Sequence, residues 1–145
     1  MASQFFSESE KERIVDAIRQ AELNTSGEIQ VHIEKKCKGN VLDRAAVVFG
    51  SLAMHQTLQR NGVLFYLAVE DHKFAILGDV GINDCVPDNF WDQIKDHMQQ
   101  LFKAGKFAEG LEDGILKAGL ALKTYFPYSG DDINELPDNL SFGPH

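Results

Sequence analysis

Asn61-Gly62-Val63-Leu64-Phe65-Tyr66-Leu67-Ala68-Val69-Glu70-Asp71-His72-Lys73-Phe74-Ala75-Ile76-Leu77-Gly78 is a pair of apolar runs joined by a short polar connection. The first run, Val63 to Val69, is apolar without alternation. A strand of that kind is covered on both faces and lies inside a sheet. Asn61-Gly62 punctuates its start. Glu70-Asp71-His72 turns the chain, and Lys73 to Gly78 reads as the antiparallel partner in a hairpin.

Upstream, Glu28 to Glu34 alternates: Ile29, Val31 and Ile33 on one face, Gln30, His32 and Glu34 on the other. This pattern predicts a strand with one wetter face. Lys35 to Asn40 is a loop. Leu42 to Leu58 is expected to be a helix, with Ala45, Val48, Phe49, Leu52 and Ala53 facing inward. Ser7 and Glu10 stand at capping-box spacing and open a helix over Glu8 to Leu23. Phe6 is expected to staple that helix only weakly, and Asn24-Thr25-Ser26-Gly27 ends it. Downstream, helices are expected over Pro87 to Ala104 and Phe107 to Tyr125, split by Gly105. The element order implies a three-layer α/β/α sandwich with a small mixed central sheet. The domain should occupy residues 1–126. Residues 127–145 carry Asp131, Asp132, Glu135 and Asp138 without a Lys or Arg. They are expected to be a flexible acidic tail, in which Leu136 and Phe142, like Phe126 before it, can still dock locally.

Strand, helix, strand connections are parallel and right-handed. The first two strands are therefore parallel, and the hairpin makes the third antiparallel. One sheet edge then gathers Glu28, Arg60-Asn61-Gly62 and Asp79. The loop Gly78-Asp79-Val80-Gly81-Ile82-Asn83-Asp84-Cys85-Val86-Pro87-Asp88 starts at the same edge. Asp79, Asp84, Asp88 and Glu28 are thus the candidate metal ligands, and calcium or another divalent cation is the expected partner, because hard cations take oxygen ligands. The loop is not an EF-hand, since Gly81 falls where that loop needs an oxygen donor. The competing reading is that aspartates favour turns and helix starts, Asp88 as a cap above all. Asp92 and Asp96 are expected in solvent, Glu109, Glu112 and Asp113 on a wet helix face, and Trp91 in the core or at the rim of the cleft.

The net charge of −8 argues against a non-specific nucleic-acid binder and against docking on anionic lipid. No apolar run is long enough to span a bilayer. Met1-Ala2-Ser3-Gln4 lacks signal-peptide character, so a cytoplasmic location is expected. Cys37 and Cys85 have no metal-like spacing and read as reduced thiols. No histidine stands in a catalytic arrangement.

Thr25-Ser26-Gly27-Glu28-Ile29-Gln30-Val31, Asn61 to Tyr66, Gly78 to Asp88, and Leu101-Phe102-Lys103-Ala104-Gly105-Lys106-Phe107-Ala108-Glu109-Gly110-Leu111 together resemble the TPM domain, in order and spacing. The resemblance is to a stand-alone, soluble bacterial version, since the signal peptide and membrane helix usual in the family are not seen. It implies an α/β/α sandwich whose acidic cleft binds calcium or another divalent ion, and a plant member has been assigned acid phosphatase activity. Where many members carry Asp before the Asn-Gly pair, this chain has Arg60, which removes a possible ligand and adds a cation. Two function classes follow. The first is a monomeric metal-binding domain acting as an interaction or regulatory module, with a protein partner that the sequence does not specify. The alternative is a metal-dependent acid phosphatase. The acidic cleft lacks a phosphate cradle and a clear nucleophile, which favours the first.

Overall fold

The computed structural model describes residues 4–127 and 140–143. Ser7 caps helix α1 (Glu8–Glu22) through a complete capping box with Glu10. Strand β1 (Glu28–Glu34) leads to α2 (Val41–Ser51), capped by the Asn40 side chain. The helix ends about seven residues earlier than its sequence predicts, and a 3-10 turn (Met54–Gln56) follows. Ala53 takes a left-handed φ of 58°, which breaks the helical path. Strands β2 (Gly62–Ala68) and β3 (Lys73–Gly78) form the expected hairpin. A one-turn helix, α3 (Val80–Asn83), occupies the acidic segment read as a ligand loop. Helices α4 (Phe90–Lys103) and α5 (Phe107–Tyr125) complete the domain, and β4 (Leu140–Phe142) returns to the sheet.

The sheet order is β3-β2-β1-β4. β1 pairs with β2 in parallel, from Glu28 opposite Gly62 to Glu34 opposite Ala68. β2 pairs with β3 antiparallel, and β1 with β4 in parallel. Pairing of β4 corrects the reading of everything after Pro127 as tail. Phe142 also packs against the main core. Residues 128–139 and 144–145, including Leu136 and the acids of the expected tail, lie outside the described residues.

One face of the sheet packs on α1, α4 and α5, through Ile29, Val31, Ile33, Val63, Phe65 and Leu67 against Ile14, Ile18, Ile94, Met98, Ile115 and Leu122. The other face packs on α2 and the 3-10 turn, through Leu64, Tyr66, Ala68 and Ala75 against Ala45, Val48, Phe49 and Met54. This is the three-layer sandwich. Phe6 is a core residue rather than a weak staple, 3% exposed and edge-on to Phe5. The wetter face expected of β1 is also wrong: all seven of its residues are buried. Glu34 meets Arg44 of α2 and Tyr66 of β2, and His32 lies beside Ser141 of β4. Among the described residues no helix is long and apolar enough to cross a membrane.

Candidate functional site

The Thr25-Ser26-Gly27 turn anchors the start of β1. The Thr25 hydroxyl donates to the carbonyl oxygens of Leu122 and Phe126 and accepts from the Gly27 amide. A Cβ on Gly27 would stand 2.6 Å from Leu122 Cδ2, so a larger residue here would push the Leu122 side chain aside. The Ser26 hydroxyl donates to Gln59 Oε1 at 2.6 Å and accepts from Asn61 Nδ2 at 3.2 Å. Two distant turns are joined in this way at one sheet edge.

Register then sets the acids. Glu28 lies opposite Gly62 across the parallel pair, and Val63 lies opposite Gly78 across the antiparallel pair. The Asp79 amide donates to the Gly62 carbonyl at 2.9 Å, which carries the pairing one residue further. Glu28, Gly62 and Asp79 therefore form one transverse row, and residues directly opposite share a face. Two strand spacings put the outer Cα atoms about 10 Å apart. Both acids are withdrawn from water, Glu28 1% and Asp79 6% exposed. The middle of the row has no side chain. Met54 covers it: its carbonyl oxygen lies 3.2 Å, and its side-chain Cε and Cβ 3.5 and 3.6 Å, from where a Cβ on Gly62 would be.

Asp79 accepts three hydrogen bonds. Arg60 grips both carboxylate oxygens, Nε to Oδ2 at 2.7 Å and Nη2 to Oδ1 at 2.9 Å. The Val80 amide also donates to Oδ1, so Asp79 is the N-cap of α3. The bond to Asp79 raises the Arg60 pKa above its ordinary value. Asn61 is 1% exposed, and its Oδ1 has no hydrogen-bond partner among the described residues.

The four acids singled out in the sequence divide into two pairs. Glu28 and Asp79 are buried and share a row; Asp84 and Asp88 are exposed. Asp84 ends α3, its amide bonded back to Val80. Asp88 does not cap α4, whose N-cap position is Asn89, without a side-chain bond. Among the described residues no three His, Cys, Asp or Glu side chains are close enough together to hold one ion. Trp91 is half-buried beside the site, its indole N–H bonded to Asn83 Oδ1 at 2.7 Å.

Residues 2–120 match the TPM domain. The chain belongs to the TPM domain family. Among solved structures, this TPM domain is similar to the BA42 protein of the psychrophilic bacterium Bizionia argentinensis, at 54% identity and a TM-score of 0.90 over 99% of each chain. It also resembles the N-terminal domain of the cg2496 protein of Corynebacterium glutamicum, at 16% identity and a TM-score of 0.66, covering 97% of this chain and 82% of that one. An N-terminal domain from P. gingivalis is similar at 19% identity and a TM-score of 0.66, covering 86% of this chain and 80% of that one. These two share the fold. Comparison with curated proteins gives no match.

A second polar cluster lies toward the other end of β1, and the sequence reading missed it. The buried Glu34 carboxylate accepts from Arg44 Nε at 3.0 Å, from Arg44 Nη2 and from the Tyr66 hydroxyl. His32 Nε2 lies 3.3 Å from Glu34 Oε1, and His32 Nδ1 lies 2.8 Å from Ser141 Oγ. A carboxylate only accepts, so in neutral His32 Nε2 carries the proton and Nδ1 accepts from Ser141. Burial pushes the His32 pKa below its ordinary value, against the pull of Glu34. Burial would raise the Glu34 carboxyl, but the bonds from Arg44 and Tyr66 outweigh it and hold its pKa below the usual carboxylate range. Burial first, then the bond to Glu34, raises the Tyr66 hydroxyl. The available signal was the spacing of His32 and Glu34 on one strand face.

Proposed function

We propose that this TPM domain binds a divalent cation, calcium or a similarly hard ion, where β1 and β2 begin, and serves as a binding or regulatory module. The row Glu28–Gly62–Asp79 carries this reading: two buried acids flank a position without a side chain. The donors at this edge are all oxygens, which suits a hard cation and not a soft one. Asn61 Oδ1, buried and without a partner among the described residues, and the Met54 carbonyl are further oxygens at the same edge. Asp84 and Asp88 supply negative charge on the exposed segment that follows Asp79 and favour cation approach. The bound ion supplies a fixed positive charge that ties the two strand ends and the α3 cap together.

The phosphatase reading has less support. Phosphoryl transfer needs an activated nucleophile beside the metal. The Ser26 hydroxyl at this edge is bonded to the amides of Gln59 and Asn61, and neither is a base.

The test is a calcium titration of the full chain, followed by calorimetry and by backbone NMR. Saturable shifts centred on Glu28, Asn61-Gly62 and Asp79 are expected, with Asp79→Asn and Glu28→Gln each weakening binding tenfold or more. Unchanged affinity in both variants would remove the site. A phosphate monoester added to the loaded protein should not turn over.

A further inference from the structure

We propose that Arg60 is a resident counter-ion that competes with the metal for Asp79 and so sets the affinity of the site. This rests on the cation-site reading above and adds its regulation. Asp79 cannot be left alone: its side chain is 5% exposed and its charge is buried. Arg60 supplies the missing cation through two parallel bonds, at 2.7 and 2.9 Å, the strongest geometry a carboxylate accepts. Oδ1 accepts from both Arg60 and Val80 and has no lone pair left, whereas Oδ2 accepts only from Arg60 and keeps one. A divalent ion on both oxygens must displace the guanidinium, and one on Oδ2 alone is repelled by its like charge. Ion and guanidinium therefore compete at Asp79.

The two partners differ in their freedom to leave. Asp79 is fixed by strand pairing and by capping α3. Arg60 is 48% exposed, and its guanidinium reaches solvent by rotation of its own side chain, without unfolding anything. The backbone at Arg60 is held in place independently, because the Arg60 carbonyl accepts from the Gly81 amide at 2.8 Å. Loading is thus an exchange: the ion enters, Arg60 turns outward, and Asp79 keeps a positive partner throughout. An exposed guanidinium retains its charge, so the loaded state places Arg60 where an anionic partner can reach it.

The test compares calcium binding in the native chain, Arg60→Gly, Asp79→Asn and the double variant. Glycine is the informative replacement, since the φ of 51° at this position strains any other small side chain. Arg60→Gly should bind calcium at least tenfold tighter than the native chain, and the gain should vanish when Asp79→Asn is added. Equal or weaker binding by Arg60→Gly, with Asp79→Asn still impaired, overturns the competition and leaves the site standing. No binding by any variant, Arg60→Gly included, overturns both. An independent readout is the Arg60 Nε–H resonance. Calcium saturation should move it to the position of a solvent-exposed arginine, and an unmoved resonance in loaded protein overturns the exchange.

Discussion

Gly81 shows how little room the site leaves at single positions. Its amide donates to the Arg60 carbonyl, and a Cβ there would overlap the Gln59 carbonyl oxygen and come within 2.6 Å of that of Arg60. Backbone atoms cannot yield as a flexible side chain does, so the clash must be relieved by moving α3 away from the turn that carries Arg60. Gly81→Ala should cost about 1–3 kcal/mol, the usual range for overpacking, and should weaken cation binding as well. Gly50, near the exposed end of α2, is the contrast: nothing lies within 4 Å of its added Cβ. Gly50→Ala should gain about 0.5–1 kcal/mol from helix propensity and lower chain entropy. Urea unfolding of the two variants checks both signs, and equal effects would refute the packing argument.

At the scale of elements, sequence pattern succeeded where one local rule decided the outcome. The capping box at Ser7, the unbroken apolar run of β2 and the turn after it each have a single physical cause, and each element formed there. Failures came where tertiary contacts outvoted the local signal. Gln30, His32 and Glu34 alternate like a solvated face, yet all three are buried, Glu34 against Arg44 and Tyr66 and His32 beside Ser141. The Asp-rich segment looked like a ligand loop, but Asp79 hydrogen-bonds its own next amide and starts a helix turn. Half of the candidate site was legible: topology alone placed Glu28 and Asp79 together. The positions of Asp84 and Asp88 depend on the path of α3, which composition does not specify. β4 was hidden because three residues beside an acidic stretch carry no periodicity. Leu140 and Phe142 nonetheless pack on the core, and Ser141 bonds His32. Truncation after Pro127 keeps the Thr25–Pro127 bridge and removes β4. The shortened chain should still unfold cooperatively, with a lower Tm and faster hydrogen exchange at Val31 to Ile33. Non-cooperative unfolding would mean that β4 is part of the folding unit.

Across the whole molecule, the buried His32–Glu34 cluster links the C-terminal strand, the central sheet and α2, and this makes stability depend on pH. Among the described residues the polar groups around His32 are Glu34 from its own strand, Arg44 from α2, Tyr66 from β2 and Ser141 from β4. In the folded chain the His32 pKa lies below the ordinary 6.5. As the pH falls through 6.5, unfolded His32 takes up a proton that folded His32 refuses. The unfolded state then binds more protons, and stability drops by at most about 1.4 kcal/mol per pH unit for one group. The loss stops at the folded pKa, where both states are protonated. Glu34 acts lower on the scale. Its folded pKa lies below the ordinary 4.5, so its contribution is complete above 4.5 and is lost as the pH falls through the folded value. The expected profile is flat above neutrality, declines between about pH 6.5 and the folded histidine value, and declines again in acid. Urea unfolding from pH 8 down to about pH 3 on the native chain and on His32→Gln separates the two steps. Glutamine can still bond Ser141 and Glu34 but does not titrate, so the upper step should disappear and the acid step remain. An upper step of unchanged size in His32→Gln would assign it to another group and remove His32 as the source of the pH dependence.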